Sequence, residues 1–235
     1  EYSDRRVEAE RRETRARLKQ QTHQRSKQFL GSLLGPWRAH RRSVAPLTLE
    51  ECGMLHAMFY ESMAPEAKIT SLERLVNPEL LNQFEAQEGT EEERRRQYML
   101  LHGTSWSSAE SIVRSGFDPA LGHLGRGTWL GQVAEACHSY AAKTTPPTTE
   151  GPPSYCMLVV ACTPNLGEGD EERSFGVWRI QEASRTCPAY KITYTLPTRP
   201  MRPAALRLGS TAAAAAAEDR TPVTVRRGLA ASPGE

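Results

Sequence analysis

"YMLLHGTSWSSAESIVRSGF", Tyr98 to Phe117, joins a short apolar run to His102-Gly103-Thr104 and then to a segment that Gly116 stops. The run has the length of a buried strand. Beyond the His-Gly-Thr, Ala109, Ile112 and Val113 recur at helical spacing, so the period of the pattern changes at that tripeptide. A strand that hands over to a helix in this way sets His102 at a strand end, a common place for a binding residue, and Gly103 lets a ligand approach the backbone closely. Taken alone, a His in this position is more often a hydrogen-bonded structural residue than a catalytic one.

Working outward, "TLEECGMLHAMFYESM" carries a Thr48 cap with Glu51 three residues on, followed by Leu55, Met58 and Phe59 on one helical face. "KITSLERLV" reads as extended and leads to "NPELLNQFEAQ", where Asn77 caps, Pro78 takes the first helical position and Leu80, Leu81 and Phe84 share a face. "QYMLLHG", "SYCMLVVAC" and "AYKITYTL" are strand-like, the last alternating around Tyr190, Ile192 and Tyr194. "QVAEACHSYAAK" resumes as a helix with His138 and Tyr140 on different faces. "GHLGRGTWLG", Gly122 to Gly131, is too rich in Gly for regular structure and has no GK[ST] to make a phosphate loop. Helices before and among several strands imply an α+β domain rather than a doubly wound sheet.

The ends of the chain read differently. Residues 1–47 form a basic helical or linker arm, with twelve Lys/Arg against five acids in residues 1–42 and only Val7 and Leu18 to bury between Arg5 and Gln28. Such a stretch is a solvated, fraying helix; the alternative is a weak contact with nucleic acid or an acidic surface. "FLGSLLGPW" either docks on the domain or is a short interaction segment. Residues 198–235, rich in Pro, Arg, Ala and Gly, read as a disordered tail, which leaves 48–197 as the domain. The five cysteines show neither zinc spacing nor a disulfide framework, so no metal is expected and they read as reduced, mostly buried residues. Apolar runs are too short to cross a membrane, so the chain is expected to be soluble and intracellular, in nucleus or cytoplasm.

In their order along the chain, "LLHGTSWSSAESIVRSGF", "GRGTWLG", "CHSY" and "PAYKITY" resemble the catalytic domain of the poly(ADP-ribose) polymerase superfamily, the diphtheria-toxin-like ADP-ribosyltransferases. The resemblance covers about residues 48–197 and implies the ADP-ribosyltransferase fold, with mixed antiparallel sheets and flanking helices. It implies that NAD is bound as a substrate. His102 would hydrogen-bond the adenosine-side ribose, the Gly103 backbone would grip the nicotinamide carboxamide, and Thr104 would complete that strand's contacts. Tyr140 would stack on the nicotinamide ring. Trp129 replaces the family's common Tyr in the Gly-x-Gly turn, where it closes the pocket or simply packs in the core. Cys137 stands where the family has a Ser that bonds the carboxamide, and a thiol is the weaker donor.

Polymerase members carry a Glu before the Tyr of the last strand, and here that residue is Ala189. Ala189 can neither support positive charge developing on the ribose nor activate an acceptor for chain elongation. By resemblance the triad reads His102, Tyr140, Ala189, as in mono-ADP-ribosyltransferases or inactive relatives, with Glu182 in the preceding loop as a reserve carboxylate. The expected functions are transfer of one ADP-ribose from NAD to a protein acceptor, reading of NAD or ADP-ribose without turnover, or a structural interaction domain without a ligand. If Ala189 faces the ribose, Ala189→Glu should raise NAD turnover.

Overall fold

A computed structural model of the chain describes residues 2–87, 97–122, 124–144, 152–164, 169–173 and 176–197. The tail read at 198–235 lies outside them. The fold is α+β: a seven-stranded sheet in the order β1-β7-β4-β2-β3-β6-β5, antiparallel at each pairing, with helices on both faces. In chain order its parts are α1 (Tyr2–His40), α2 (Leu49–Ser62), β1 (Lys68–Arg74), α3 (Pro78–Ala86), β2 (Tyr98–Thr104) and α4 (Trp106–Ser115). These are followed by β3 (Thr128–Gly131), α5 (Ala134–Thr144), β4 (Ser154–Cys162), β5 (Glu171–Arg173), β6 (Val177–Ile180) and β7 (Thr186–Thr195).

Local chemistry sets the boundaries. Thr48 and Glu51 form the reciprocal capping box read from the sequence, Asn77 caps α3 ahead of Pro78, and Ser105 caps α4, which ends at Gly116 with φ 82°. The central strands alternate between two apolar clusters. Met99 and Leu101, Met157 and Val159, and Tyr190, Ile192 and Tyr194 face a cluster completed by α1, α2, α3 and α5. Leu100, Leu158 and Val160 face the opposite cluster, which α4 closes with Ala109 and the partly buried Ile112 and Val113. Near its start β7 carries a bulge: Val159 pairs with Tyr190 and Val160 with Pro188, leaving Ala189 between them. Pro188 has no N–H for a ladder and lies beyond the end of β1, where that loss matters least.

Two expectations are corrected. Residues 1–47 are not a separable arm. The α1 helix runs through Gly31, Gly35 and Pro36, and Ser26, Leu30, Leu33 and Trp37 form a buried stripe at spacings of four, three and four. Trp37 packs edge-on against Phe84 at 5.9 Å, and Arg41 and Arg42 both pair with Glu85. "FLGSLLGPW" therefore docks on the domain, whereas residues 12–14, 16–18 and 24–25 are exposed as a solvated helix should be. The second correction is in the Gly-rich stretch, whose last four residues form β3. Positive φ at Gly125 and Gly127 is used up in the turn, and Thr128 to Gly131 then pair with β6, a strand the sequence reading missed along with β5.

Candidate functional site

The expected site residues gather at one end of β2 and β3. Strand β2 pairs with β4 from Tyr98 to Thr104, but with β3 only at Leu101 and Gly131. Beyond that pair the His102 ring bridges the two strands, its Nδ1 lying 2.9 Å from the Trp129 carbonyl oxygen. A carbonyl only accepts, so Nδ1 carries the proton and Nε2 keeps its lone pair. Burial lowers the His102 pKa, partly opposed by the Trp129 hydrogen bond, so the imidazole stays neutral. Phe117 stands edge-on to the ring at 5.1 Å and holds its plane. The Trp129 indole, half-buried, donates to Gly125 O at 3.0 Å and braces the turn that leads into β3.

Helix α5 brings the other members. It packs so closely on β2 that a Cβ on Gly103 would lie 1.8 Å from the Cys137 carbonyl oxygen, and a Cβ on Gly131 would lie 2.8 Å from the Cys137 sulfur. Gly103 therefore has a packing reason to be Gly, whatever it binds. The Cys137 thiol donates to Leu101 O at 3.5 Å. Burial pushes its pKa up to about 12, against hydrogen bonding from the Gly103 and Gly131 backbone, so it is a neutral thiol and not a nucleophile. Gly103 and Cys137 are thus in contact, and Cys137 is a buried member of the apolar cluster. Thr104 ends β2 opposite Cys156 and is half-buried.

At 100° per residue, Tyr140 and His138 flank the buried stripe of α5 on opposite sides. Tyr140 is 36% exposed, with the Lys143 ammonium over its ring, 5.2 Å from the centroid. His138 turns toward β4 and β7, where Nδ1 is 2.9 Å from the Tyr194 hydroxyl and the ring stands edge-on to Tyr155. Burial raises the Tyr194 pKa and lowers that of His138, so this pair is neutral.

Two readings near the site change. Ala189 has no exposed surface and belongs to the apolar cluster with Met99, Ala161 and Phe84, so its Cβ does not open onto a ribose. Glu182 is exposed and pairs with Arg185 at 3.2 Å, a surface contact that does not reach the site.

The sequence reading also missed a buried polar centre, Glu51, Arg74 and Tyr190. Glu51 Oε1 accepts from Arg74 Nε and the Tyr190 hydroxyl, both at 2.9 Å, while Oε2 accepts from the Thr48 N–H at 2.8 Å and from Arg74 Nη2. Arg74 Nη1 also donates to Ser43 O and Ala45 O, tying the α1–α2 connection to the sheet. Burial alone would raise the Glu51 pKa, but Arg74, Thr48 and Tyr190 together bring it down to about 2. A signal was present in "KITSLER", where Arg74 shares the inward register of Leu72 and so needs a buried partner.

Among the described residues no three His, Cys, Asp or Glu side chains stand close enough to hold a metal ion, and no helix is long and apolar enough to cross a membrane. No protein-family model matches this chain, and no curated protein matches it.

Proposed function

We propose that the chain is an NAD-dependent protein mono-ADP-ribosyltransferase with the ADP-ribosyltransferase fold, acting in nucleus or cytoplasm. The observation that carries this reading is the convergence of His102, Gly103, Trp129 and Cys137 on β2, β3 and the helix packed against them, the same helix that carries Tyr140. NAD supplies an ADP-ribosyl group on a nicotinamide that leaves as a neutral base, so no metal is required. His102 offers Nε2 as the acceptor for a ribose hydroxyl, because its other nitrogen is held by Trp129. The Gly103 backbone and the Cys137 thiol stand together where a carboxamide needs donor and acceptor, and Tyr140 presents its ring one helical turn further on. No carboxylate comes from residue 189, so an acidic side chain of the protein acceptor is the group that would steady the ribose and then bond to it. The exposed Arg12, Arg17 and Arg25 of α1 are suited to draw in such an acidic acceptor, or nucleic acid.

The burial of Ala189 favours a second reading, a module that binds NAD or ADP-ribose without turnover. Incubation of the full chain with NAD labelled in the adenylate part, with and without lysate proteins, separates the two. Covalent label that depends on His102 supports the transferase. Saturable NAD binding without label supports the reader, and failure to bind NAD overturns both.

A further inference from the structure

A separate cavity of about 240 Å³ lies between α4 and β7. It is lined by Trp106, Ala109, Glu110, Val113 and Arg114, which recur at helical spacing along one face of α4, and by Lys191 of β7. Its volume is that of about eight water molecules at liquid density, enough for one small organic molecule.

The lining divides into an apolar wall and a charged rim. Trp106, Ala109 and Val113 form the wall, and the indole is fixed in place because its N–H donates to Ser154 O at 3.0 Å. Lys191 stands 5.9 Å from the Trp106 ring centroid and pairs with Glu73 at 3.0 Å. Glu73 is nearly half-exposed in that pair, so the pair is weak and can share Lys191 with a second anion. Glu110 and Arg114 are exposed at the mouth, four residues apart, and among the described residues neither takes part in an ion pair. Together the rim offers one unpaired acid, one unpaired base and a partly engaged lysine, with no net charge once Glu73 is counted.

We propose that this cavity binds a small zwitterion with an apolar side chain, the chemistry of a hydrophobic α-amino acid. The ammonium would meet Glu110, the carboxylate Arg114 and Lys191, and the side chain the wall of Trp106, Ala109 and Val113. A simple anion would be repelled by Glu110 and Glu73, and a simple cation by Arg114 and Lys191, so only a ligand carrying both charges uses the whole rim. The site does not depend on the NAD reading, because none of its lining residues is among those assigned to NAD.

The test is titration of the full chain with L-phenylalanine, following the Trp106 indole N–H resonance, assigned by its loss in Trp106→Phe. The expected result is a saturable shift that weakens about ten-fold or more in Glu110→Gln and in Arg114→Gln, both helix-surface changes that leave the core intact. 3-Phenylpropionate and phenethylamine, each lacking one charge, should bind about ten-fold more weakly than the amino acid. Equal affinity for 3-phenylpropionate would show an anion site instead and overturn the proposal. So would a shift unaltered in both variants, or no saturable shift with any of the three probes.

Discussion

Two polar centres sit on this sheet, and they are built on opposite plans. At Glu51 the carboxylate is completely buried, Arg74 is nearly so, and both carboxylate oxygens are bonded by Arg74, Tyr190 and Thr48. At His102 the ring is half-buried, one nitrogen is taken by Trp129, and Tyr140 on α5 keeps a third of its surface in solvent. A polar group whose valences are all met by its own chain can only hold the fold together. One that is oriented by a single bond, with a second nitrogen left over, can still bind something else. Changes at the first centre should therefore cost stability, and changes at the second should cost binding.

The largest effect is expected from Glu51→Ala, which leaves the Arg74 guanidinium buried without its partner. Removal of one member of such a pair costs about 3–5 kcal/mol, enough to threaten folding of a marginally stable domain. Denaturant unfolding of the full chain measures it. Acid provides a milder form of the same break. Glu51 takes up its proton near pH 2 when folded and near 4.5 when unfolded, so falling pH favours the unfolded chain. The stabilisation is complete above about pH 4.5 and is lost as pH approaches 2, an effect of about 3 kcal/mol that Glu51→Gln should remove from the pH profile. His102 acts in a higher window. Held neutral by burial, it weakens the fold as pH drops below its ordinary 6.5, so the two centres should give separable steps.

Next in size is Ala189→Glu. With no exposed surface at residue 189, the longer side chain overpacks the cluster around Met99 and Phe84 at a cost of roughly 1–3 kcal/mol, and its carboxyl must stay protonated to remain there. Lower stability without any gain in NAD turnover is the expected outcome, opposite to what the sequence pattern suggests. A gain in turnover with unchanged stability would move Ala189 from the closed region to the open one.

That reversal shows where the sequence could be read and where it could not. The caps at Thr48 and Asn77 and the alternation of Tyr190, Ile192 and Tyr194 are local chemistry, so the elements they mark were legible, as was the α+β class. The direction of Ala189 depends on a bulge set by Pro188 and by the end of β1, which local alternation does not encode. The stripe from Ser26 to Trp37 was left undecided because Gly31, Gly35 and Pro36 interrupt "FLGSLLGPW", residues that argue against the helix whose period lines up its members. Strands β5 and β6 are too short for a period to show. The candidate site residues were singled out by their order along the chain, while the bond from His102 to the Trp129 carbonyl is a tertiary fact.

A smaller effect is expected from His102→Ala. The ring's one described hydrogen bond and its edge contact with Phe117 are partly solvent-exposed, so stability should change by about 1 kcal/mol or less. NAD affinity should fall by roughly two- to ten-fold, the worth of one hydrogen bond, as measured by calorimetric titration. Large destabilisation with unchanged NAD affinity would place His102 with Glu51 as a structural group.

The smallest effect belongs to Cys137→Ser, and it tests whether the open region binds the nicotinamide end of its ligand. Serine is slightly smaller than cysteine and a much better donor and acceptor, and the Leu101 carbonyl and the Gly103 and Gly131 backbone already surround the position. The hydroxyl therefore has partners in the ligand-free fold, and stability should shift by less than about 1 kcal/mol in either direction. A carboxamide placed at Gly103 would gain a stronger partner, worth about three-fold in affinity, the low end for one hydrogen bond. The gain should appear with NAD and with nicotinamide but not with ADP-ribose, which lacks the carboxamide. An equal gain with ADP-ribose would mean that the smaller side chain has merely loosened the contact of α5 with β2. Cys137 would then belong to the packing that the closeness of Gly103 and Gly131 already requires.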